Sequence, residues 1–536
     1  MDNELYVHYN QMRKQITTNN SQSVCRTYGG IQMRLFEMLL LLLNVVFSVE
    51  NFLLKKRLPK SAFMLTSVAS LAMLIIHLLV EGYRFQLIFL YCITVLVFVY
   101  SIFNYHKASV SGKASRGKRI LGNTFIITSL LVTASLMYIF PVFTLPNPTG
   151  TFKVGTEAFH LVDQQRSETL DKGLNRKRAL MVQVWYPAEN THGRPMPFIP
   201  DTQILKPMAE NYGLPGYTFE YLKYVLSHSY KDANISTAKN SYPVIIINPG
   251  FGSSRFLHTS QAENLASHGY IVVAIDHTYN TFATVFPDGQ ITACKTNEFF
   301  SSNDDYKTTR NNRDKIGKIL TDDVTFVLNE LQLINSGQVQ SSLKGRIDLA
   351  HIGIFGHSIG GATAYDSSYD PRIIAGIDLD GGLYRLDGRT GPNKPFLFID
   401  SEEQFKNIKM VIDNHVYSDQ ELKEIGATRE WKTEETADKK AELNLMRNSA
   451  NIGGQTIYIG NSAHLNFTDS QFFSPIFKLF GATGKIDPQR ANTIVNSYIL
   501  DFFDKYLKNE NGNLITEPNN KFPEVKFITP LLTNMN

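Results

Sequence analysis

Residues 352–364 read IGIFGHSIGGATA, and this stretch restricts the possible folds more than any other. Ile352, Ile354 and Phe355 form a short apolar run of the kind that fills a buried strand. Gly356-His357-Ser358-Ile359-Gly360 must then turn, because small residues suited to opening a helix (Gly361, Ala362, Thr363, Ala364) follow at once. Strand, Gly-x-Ser-x-Gly and helix in that order make a nucleophile elbow, a tight turn that lifts a serine hydroxyl clear of a sheet. The glycines are a steric requirement, since a Cβ at Gly356 or Gly360 would collide with neighbouring backbone. A serine at a helix start also lies where backbone N–H groups point at any oxyanion formed beside it.

The flanking sequence supplies a sheet for this elbow. Residues 242–248, YPVIIIN, form a continuous apolar run, as expected of a central strand covered on both faces. Residues 269–276, 373–379, 395–399 and 455–459 read as further buried strands, and 179–186 as an early strand ended by Pro187. Between them, 259–267 reads as a helix. Residues 314–335 repeat apolar side chains at Ile316, Ile319, Leu320, Val324, Val327, Leu328 and Leu331, the period of a helix packed on a sheet. Strands alternating with helices predict an α/β class, a doubly wound and mostly parallel sheet. With the elbow, the expected architecture is the α/β-hydrolase fold.

A serine is a weak nucleophile at neutral pH and needs a base, itself oriented by an acid. In this fold the chain order is Ser, acid, His. Ser358 is followed by Asp380 at the end of the next strand, and by His464 in the loop NSAHLNF after the last predicted strand. Asp400 ends the following strand, and position alone does not separate it from Asp380; Asp378 reads as structural. His351 and His357 flank the elbow without being placed to receive the serine proton. An oxyanion hole needs two backbone donors, expected from Ile359, directly after the nucleophile, and from Phe251 in the turn NPGFG after an earlier strand.

The N-terminal part has a different character. Four apolar stretches, 35–54, 62–80, 85–103 and 120–143, each reach the length of about 20 residues that spans a bilayer core. The competing reading is a buried soluble helix, raised by Glu37 and Glu50, but both lie about a turn from an end, where snorkelling relieves a charge. Glu37, Glu50 and His77 are the residues a polar site in such a bundle would use; end-of-helix interfacial features are the simpler reading. Basic residues gather in the first loop (Lys55, Lys56, Arg57, Lys60) and the third (Lys107, Lys113, Arg116, Lys118, Arg119). The second offers only Arg84 with Glu81. The positive-inside rule then puts the C-terminal domain on the extracytoplasmic side of a cell membrane as part of a multi-pass chain. A lone cysteine there, Cys294, suits a bacterial envelope.

The expected organisation is a polar tail (1–34), four transmembrane helices (35–143), a Pro/Gly linker (144–155), a catalytic domain (156–510) and a C-terminal tail (511–536). Residues 402–450, charged and helical in character, read as a surface insertion or lid. A net charge of +4 on 536 residues gives no argument for nucleic acid. Three cysteines build neither a disulfide framework nor a metal site. No cofactor and no metal are expected, and the expected partners are an ester substrate and a lipid bilayer.

Residues 245–276, the elbow, Gly376-Ile377-Asp378-Leu379-Asp380, and His464-Leu465-Asn466-Phe467 with Asp469 together resemble the platelet-activating-factor acetylhydrolases of the plasma and type II intracellular kind. The likeness runs over roughly 240–400 and 455–505. It implies an α/β-hydrolase fold and a calcium-independent enzyme that removes sn-2 acetyl and short or oxidised acyl groups from phospholipids. It assigns Ser358, Asp380 and His464 to the triad and Phe251 and Ile359 to the oxyanion hole, and so prefers Asp380 to Asp400. Animal members of that family lack a four-helix anchor, and 402–450 looks longer here. The expectation is therefore a membrane-tethered serine esterase acting on short-chain or lipid-derived esters. A long-chain lipase or peptidase on the same triad, or a membrane sensor or scaffold with an inactive hydrolase domain, are the alternatives.

Overall fold

The computed structural model describes residues 34–54, 57–106, 116–171, 173, 175–301, 304–391, 394–510 and 512–533. Residues 1–33 of the polar tail, Lys55, Lys56, Lys107 and Lys113 lie outside the described residues. The chain divides into two compact units, Met1–Thr144 and Leu145–Asn536.

The first unit contains α1 (Leu35–Val49), continued by a π-helical turn Glu50–Leu54, α2 (Lys60–Val80), α3 (Ile88–His106) and α4 (Arg116–Ile139). Four of its helical spans are long and apolar enough to cross a membrane. The last ends at Ile139 rather than at 143. Pro141 disfavours helical backbone at the residue before it. Large apolar side chains such as Leu53, Leu65, Phe103 and Leu121 point outward, while Glu37, Asn44, Ser67, His77 and Arg84 are buried. Glu37 does not snorkel. It pairs with Arg84 Nη1 at 2.6 Å and with Arg34 at 3.1 Å, so the second loop turns its arginine inward to neutralise it. His77 bonds Glu81 at 2.9 Å and Tyr91 at 2.7 Å, and Glu50 accepts from Thr66 at 3.0 Å.

The second unit is built on one ten-stranded sheet. Its strands are β1 (Lys153–Ser167), β2 (Lys177–Ala188), β3 (Ser229–Lys231), β4 (Tyr242–Asn248), β5 (Ile271–Asp276), β8 (Ile347–His357), β9 (Ile373–Leu379), β10 (Phe396–Ser401), β11 (Gln455–Ile459) and β12 (Val525–Phe527). A small hairpin outside the sheet supplies β6 (Ala283–Val285) and β7 (Ile291–Ala293). The order is β12-β11-β10-β9-β8-β4-β5-β2-β1-β3, and β11 to β5 run parallel. The chain winds outward in one direction through β4 and β5 and in the other from β8, so β4 and β8 meet at a switch point, where such sheets open a crevice.

Burial explains the continuous apolar strands. In β4, Val244 and Ile246 enter one core cluster while Ile245 and Ile247 enter the other, because alternate side chains leave opposite faces. On the first face lies α6 (Tyr306–Ser336), through Val324, Val327, Leu328 and Leu331; α5 (Thr259–Ser267) and α10 (Pro488–Lys508) cover the second, α10 through Ile494, Tyr498, Ile499 and Phe503. The helix after the elbow is α7 (Ile359–Ser367).

Three regions differ from the sequence-based expectation. Residues 402–450 form α8 (Glu402–Ile412), a short turn of helix and α9 (Arg429–Ala450). Leu443, Leu445 and Met446 of α9 sit in the sheet's core, so this region is more than a surface excursion. Its few apolar positions are hidden in a charged sequence. The C-terminal segment is also built in: β12 pairs antiparallel with β11 and covers that edge. The linker is tied down, with Thr149 N–H donating to Asn264 Oδ1 at 3.0 Å and Phe152 N–H to the Ser267 carbonyl at 3.0 Å.

Candidate active site

Ser358 stands between β8 and α7 with φ 57° and ψ −126°, a backbone region that non-glycine residues seldom adopt. The flanking glycines permit it. A Cβ at Gly356 would run into the carbonyl of Gly360, and one at Gly360 into that of Asn248 at the end of β4. Strand β8 continues into the turn through a bond from Ser358 N–H to the Leu379 carbonyl at 3.0 Å, which ties the elbow to β9.

Asp380 follows β9, also at positive φ (54°). Its Oδ1 accepts from Ser401 N–H at 2.6 Å, and its Oδ2 lies 2.7 Å from His464 Nδ1. His464 opens a short 3₁₀ turn, His464–Phe467, after β11, and its side chain is half-exposed. Because a carboxylate can only accept, the imidazole carries its proton on Nδ1, leaving the Nε2 lone pair free. Ser358, Ile359, Asp380, His464 and Phe251 all line one cleft of about 620 Å³. Asp400 is elsewhere: it is buried, its Oδ2 meets no hydrogen-bond donor among the described residues, and it makes no bond to His464.

The oxyanion candidates have free geometry. Ile359 is the first residue of α7, a position whose N–H has no acceptor within the helix. Phe251 N–H makes no backbone hydrogen bond among the described residues, whereas the next N–H, of Gly252, is bonded to the Asn280 carbonyl at 2.9 Å.

Beneath the site the interior is unusually acidic. Burial, then the charges of Asp400 and Glu442, pushes the Asp378 carboxyl well above its ordinary range; burial and Asp380 do the same to Asp400. Asp378 Oδ1 accepts from Gly381 N–H at 2.9 Å and so braces the turn carrying Asp380. Lys439 pairs with Glu442 at 2.6 Å; burial alone would lower its pKa, but Glu442, Asp400 and Asp378 outweigh that and raise it.

Two side chains that hold the histidine loop carry no motif that announces the job. His357 is buried, and its Nε2 lies 3.0 Å from the His464 carbonyl, so it donates there; the two rings are 4.3 Å apart. Burial, and then the neighbouring imidazoles of His464 and His258, keeps His357 well below its usual pKa and hence neutral. Asp469 accepts from Ser260 N–H at 2.9 Å and from its hydroxyl, locking the loop to α5. Burial pushes its carboxyl up to about 7 against those bonds. The adjacency of His357 to the serine was a signal; its partner 107 residues away was not. His351, by contrast, pairs with Asp348 at 2.7 Å, half-exposed.

A mostly parallel, doubly wound sheet with an elbow serine at its switch point defines an α/β hydrolase. The second unit resembles in structure a ferulic acid esterase from Streptomyces cinnamoneus, with a TM-score of 0.54 and 25% identity over 72% of this chain and 99% of that one. Residues 137–521 match the family model of platelet-activating factor acetylhydrolase, isoform II, and the chain belongs to that family. Similar proteins include a probable 1-alkyl-2-acetylglycerophosphocholine esterase of Arthroderma benhamiae, 25% identical over 75% of this chain and 98% of the relative. A platelet-activating factor acetylhydrolase of Cavia porcellus is 24% identical over 68% and 78% respectively.

Proposed function

We propose that this chain is a membrane-tethered serine ester hydrolase of the acetylhydrolase type, cleaving short-chain or lipid-derived carboxylic esters through an acyl-enzyme. The observation that carries the reading is the 2.7 Å bond between His464 and Asp380 in the cleft that Ser358 lines. Asp380 fixes the imidazole with Nε2 unprotonated, so His464 acts as base toward the Ser358 hydroxyl. The serine oxygen attacks the ester carbonyl, and the negative charge that develops is met by the N–H groups of Ile359 and Phe251 and by the start of α7. His464, now protonated, returns its proton to the departing alkoxide. Water, deprotonated by the same nitrogen, then attacks the acyl-enzyme and restores Ser358.

The names of the relatives support ester hydrolysis and, among esters, acetyl groups on glycerophospholipid-like molecules. Four apolar spans with outward-facing leucines and phenylalanines support insertion in a bilayer, and the basic first and third loops support an extracytoplasmic hydrolase domain.

The test is hydrolysis of p-nitrophenyl esters from acetyl to dodecanoyl by detergent-solubilised protein and its Ser358→Ala variant. Turnover should fall roughly 10⁶-fold without the serine. Activity declining steeply beyond butanoyl fits the acetylhydrolase reading, and a maximum at long chains makes the protein a lipase. Equal rates for the two proteins remove Ser358 from the chemistry.

A further inference from the structure

Beside the cleft at Ser358 lies a second, polar cavity. Arg313, Gly382, Gln404 and Asn407 line both the cleft and an adjoining space of about 240 Å³ walled by α6, α8 and α9. Charges in that space are paired, one of them loosely. Lys432 pairs with Glu435, and Lys439 with Glu442. Asp438 accepts from the Tyr306 hydroxyl at 2.7 Å and meets Arg310 Nε at 3.0 Å. Arg313 is the loosely held one: its carboxylate, the same Asp438, is 3.8 Å away and shared with Arg310, and its buried Nε has no hydrogen-bond partner among the described residues.

The position of this guanidinium is set by the fold. Residue 313 lies in the N-terminal third of α6, whose later turns are anchored in the core through Val324, Val327 and Leu331. About a third of its side chain remains open to solvent (35%). Glu403 also lines the cleft but is exposed, and Asp380 is occupied by His464. A planar guanidinium held by one shared carboxylate at 3.8 Å, lining a half-enclosed cavity, suits an oxyacid group.

We propose that Arg313 is the specificity-determining residue of the cleft, selecting esters that carry an oxyacid anion, phosphodiester or carboxylate, on the same molecule as the scissile bond. This rests on the esterase reading above. The anion sits at the mouth of the polar cavity while the ester carbonyl lies at Ser358. Arg313 contributes binding and orientation and does not touch the reacting atoms.

The experiment compares three acetyl esters whose alcohols carry a phosphodiester, a carboxylate or a neutral hydroxyl, on wild type, Arg313→Gln and Arg313→Lys. Loss of a charge-assisted contact should lower kcat/KM for an anionic ester by about 10- to 100-fold more than for the neutral one in Arg313→Gln, chiefly through KM. Arg313→Lys should recover part of the difference, since lysine keeps the charge without the fork. The anionic ester with the greater loss identifies the oxyacid. Equal losses on charged and neutral esters, or no loss, overturn the assignment while Ser358-dependent hydrolysis continues. If wild type hydrolyses none of the three, the esterase reading fails and the assignment with it.

Discussion

In the helical unit Glu37, Asn44, His77 and Arg84 are buried while Leu42, Leu65, Phe103 and Leu131 face outward. In the hydrolase unit Ile245, Ile247, Val273 and Phe355 are sealed inside a sheet wrapped by helices. Each unit hides what the surroundings proposed for it, a bilayer for the first and water for the second, solvate poorly. In water, apolar surface is driven inward; in hydrocarbon there is no such drive, and polar groups must find partners inside. The contrast extends to charge. The bundle neutralises Glu37 with two arginines, whereas the interior beneath the hydrolase site collects Asp378, Asp400 and Glu442 near one half-buried lysine, Lys439. A buried pair holds helices together, while an excess of acids can stay buried only by keeping protons. Among the acids of the site, Asp380 is the one that bonds His464.

The sharpest way to break that picture is to exchange the acids. Asp380→Asn should cost about 10⁴ in kcat, because an amide NH₂ facing Nδ1 favours the wrong imidazole tautomer. Asp400→Asn should change kcat by less than about threefold, because the bond to His464 is made by Asp380 and not by Asp400. Kinetics on p-nitrophenyl acetate measure both, and the reverse ranking would move the orienting acid to Asp400.

The bundle side of the comparison is tested by Arg84→Leu, which leaves buried Glu37 with Arg34 alone and should destabilise the unit by up to about 3–5 kcal/mol. Glu37→Gln combined with Arg84→Met should restore most of the loss, since neither partner is then charged. Far-UV circular dichroism of the full chain during denaturant titration reads this. A single variant as stable as wild type would mean that the pair contributes nothing.

Much of this was legible before any coordinates. Glycines at 356 and 360 announced the elbow because only a bare Cα tolerates the Gly360 and Asn248 carbonyls. Strands β4 and β5 showed as unbroken apolar runs because both faces are covered. Residue order pointed to His464, yet Asp380 and Asp400, which end neighbouring strands, were separable only by resemblance. What local pattern could not show were contacts between distant residues. The Glu37–Arg84 pair spans 47 residues and the His357–His464 bond 107. Strand β12 is three residues long, too short for periodicity to register, and is defined by its pairing with β11.

The smallest effect is also the most specific to the acidic interior, and it concerns pH. Burial and then the charge of Asp380 raise the Asp400 carboxyl, so the folded chain keeps the proton there to higher pH than the unfolded chain. The unfolded chain releases it near pH 4, the ordinary aspartate range. A group raised on folding contributes stability in full below its unfolded value, and that contribution is lost as pH rises toward its folded value. Wild type should therefore inactivate faster in the heat at pH 8 than at pH 5. Asp400→Asn, which cannot ionise, should narrow that gap, and Asp378, raised by burial in the same direction, should preserve part of it. The measurement is the half-life of esterase activity at a fixed elevated temperature, for full-length wild type and variant, at both pH values. An unchanged ratio of half-lives would mean that burial does not raise the Asp400 carboxyl in the folded chain.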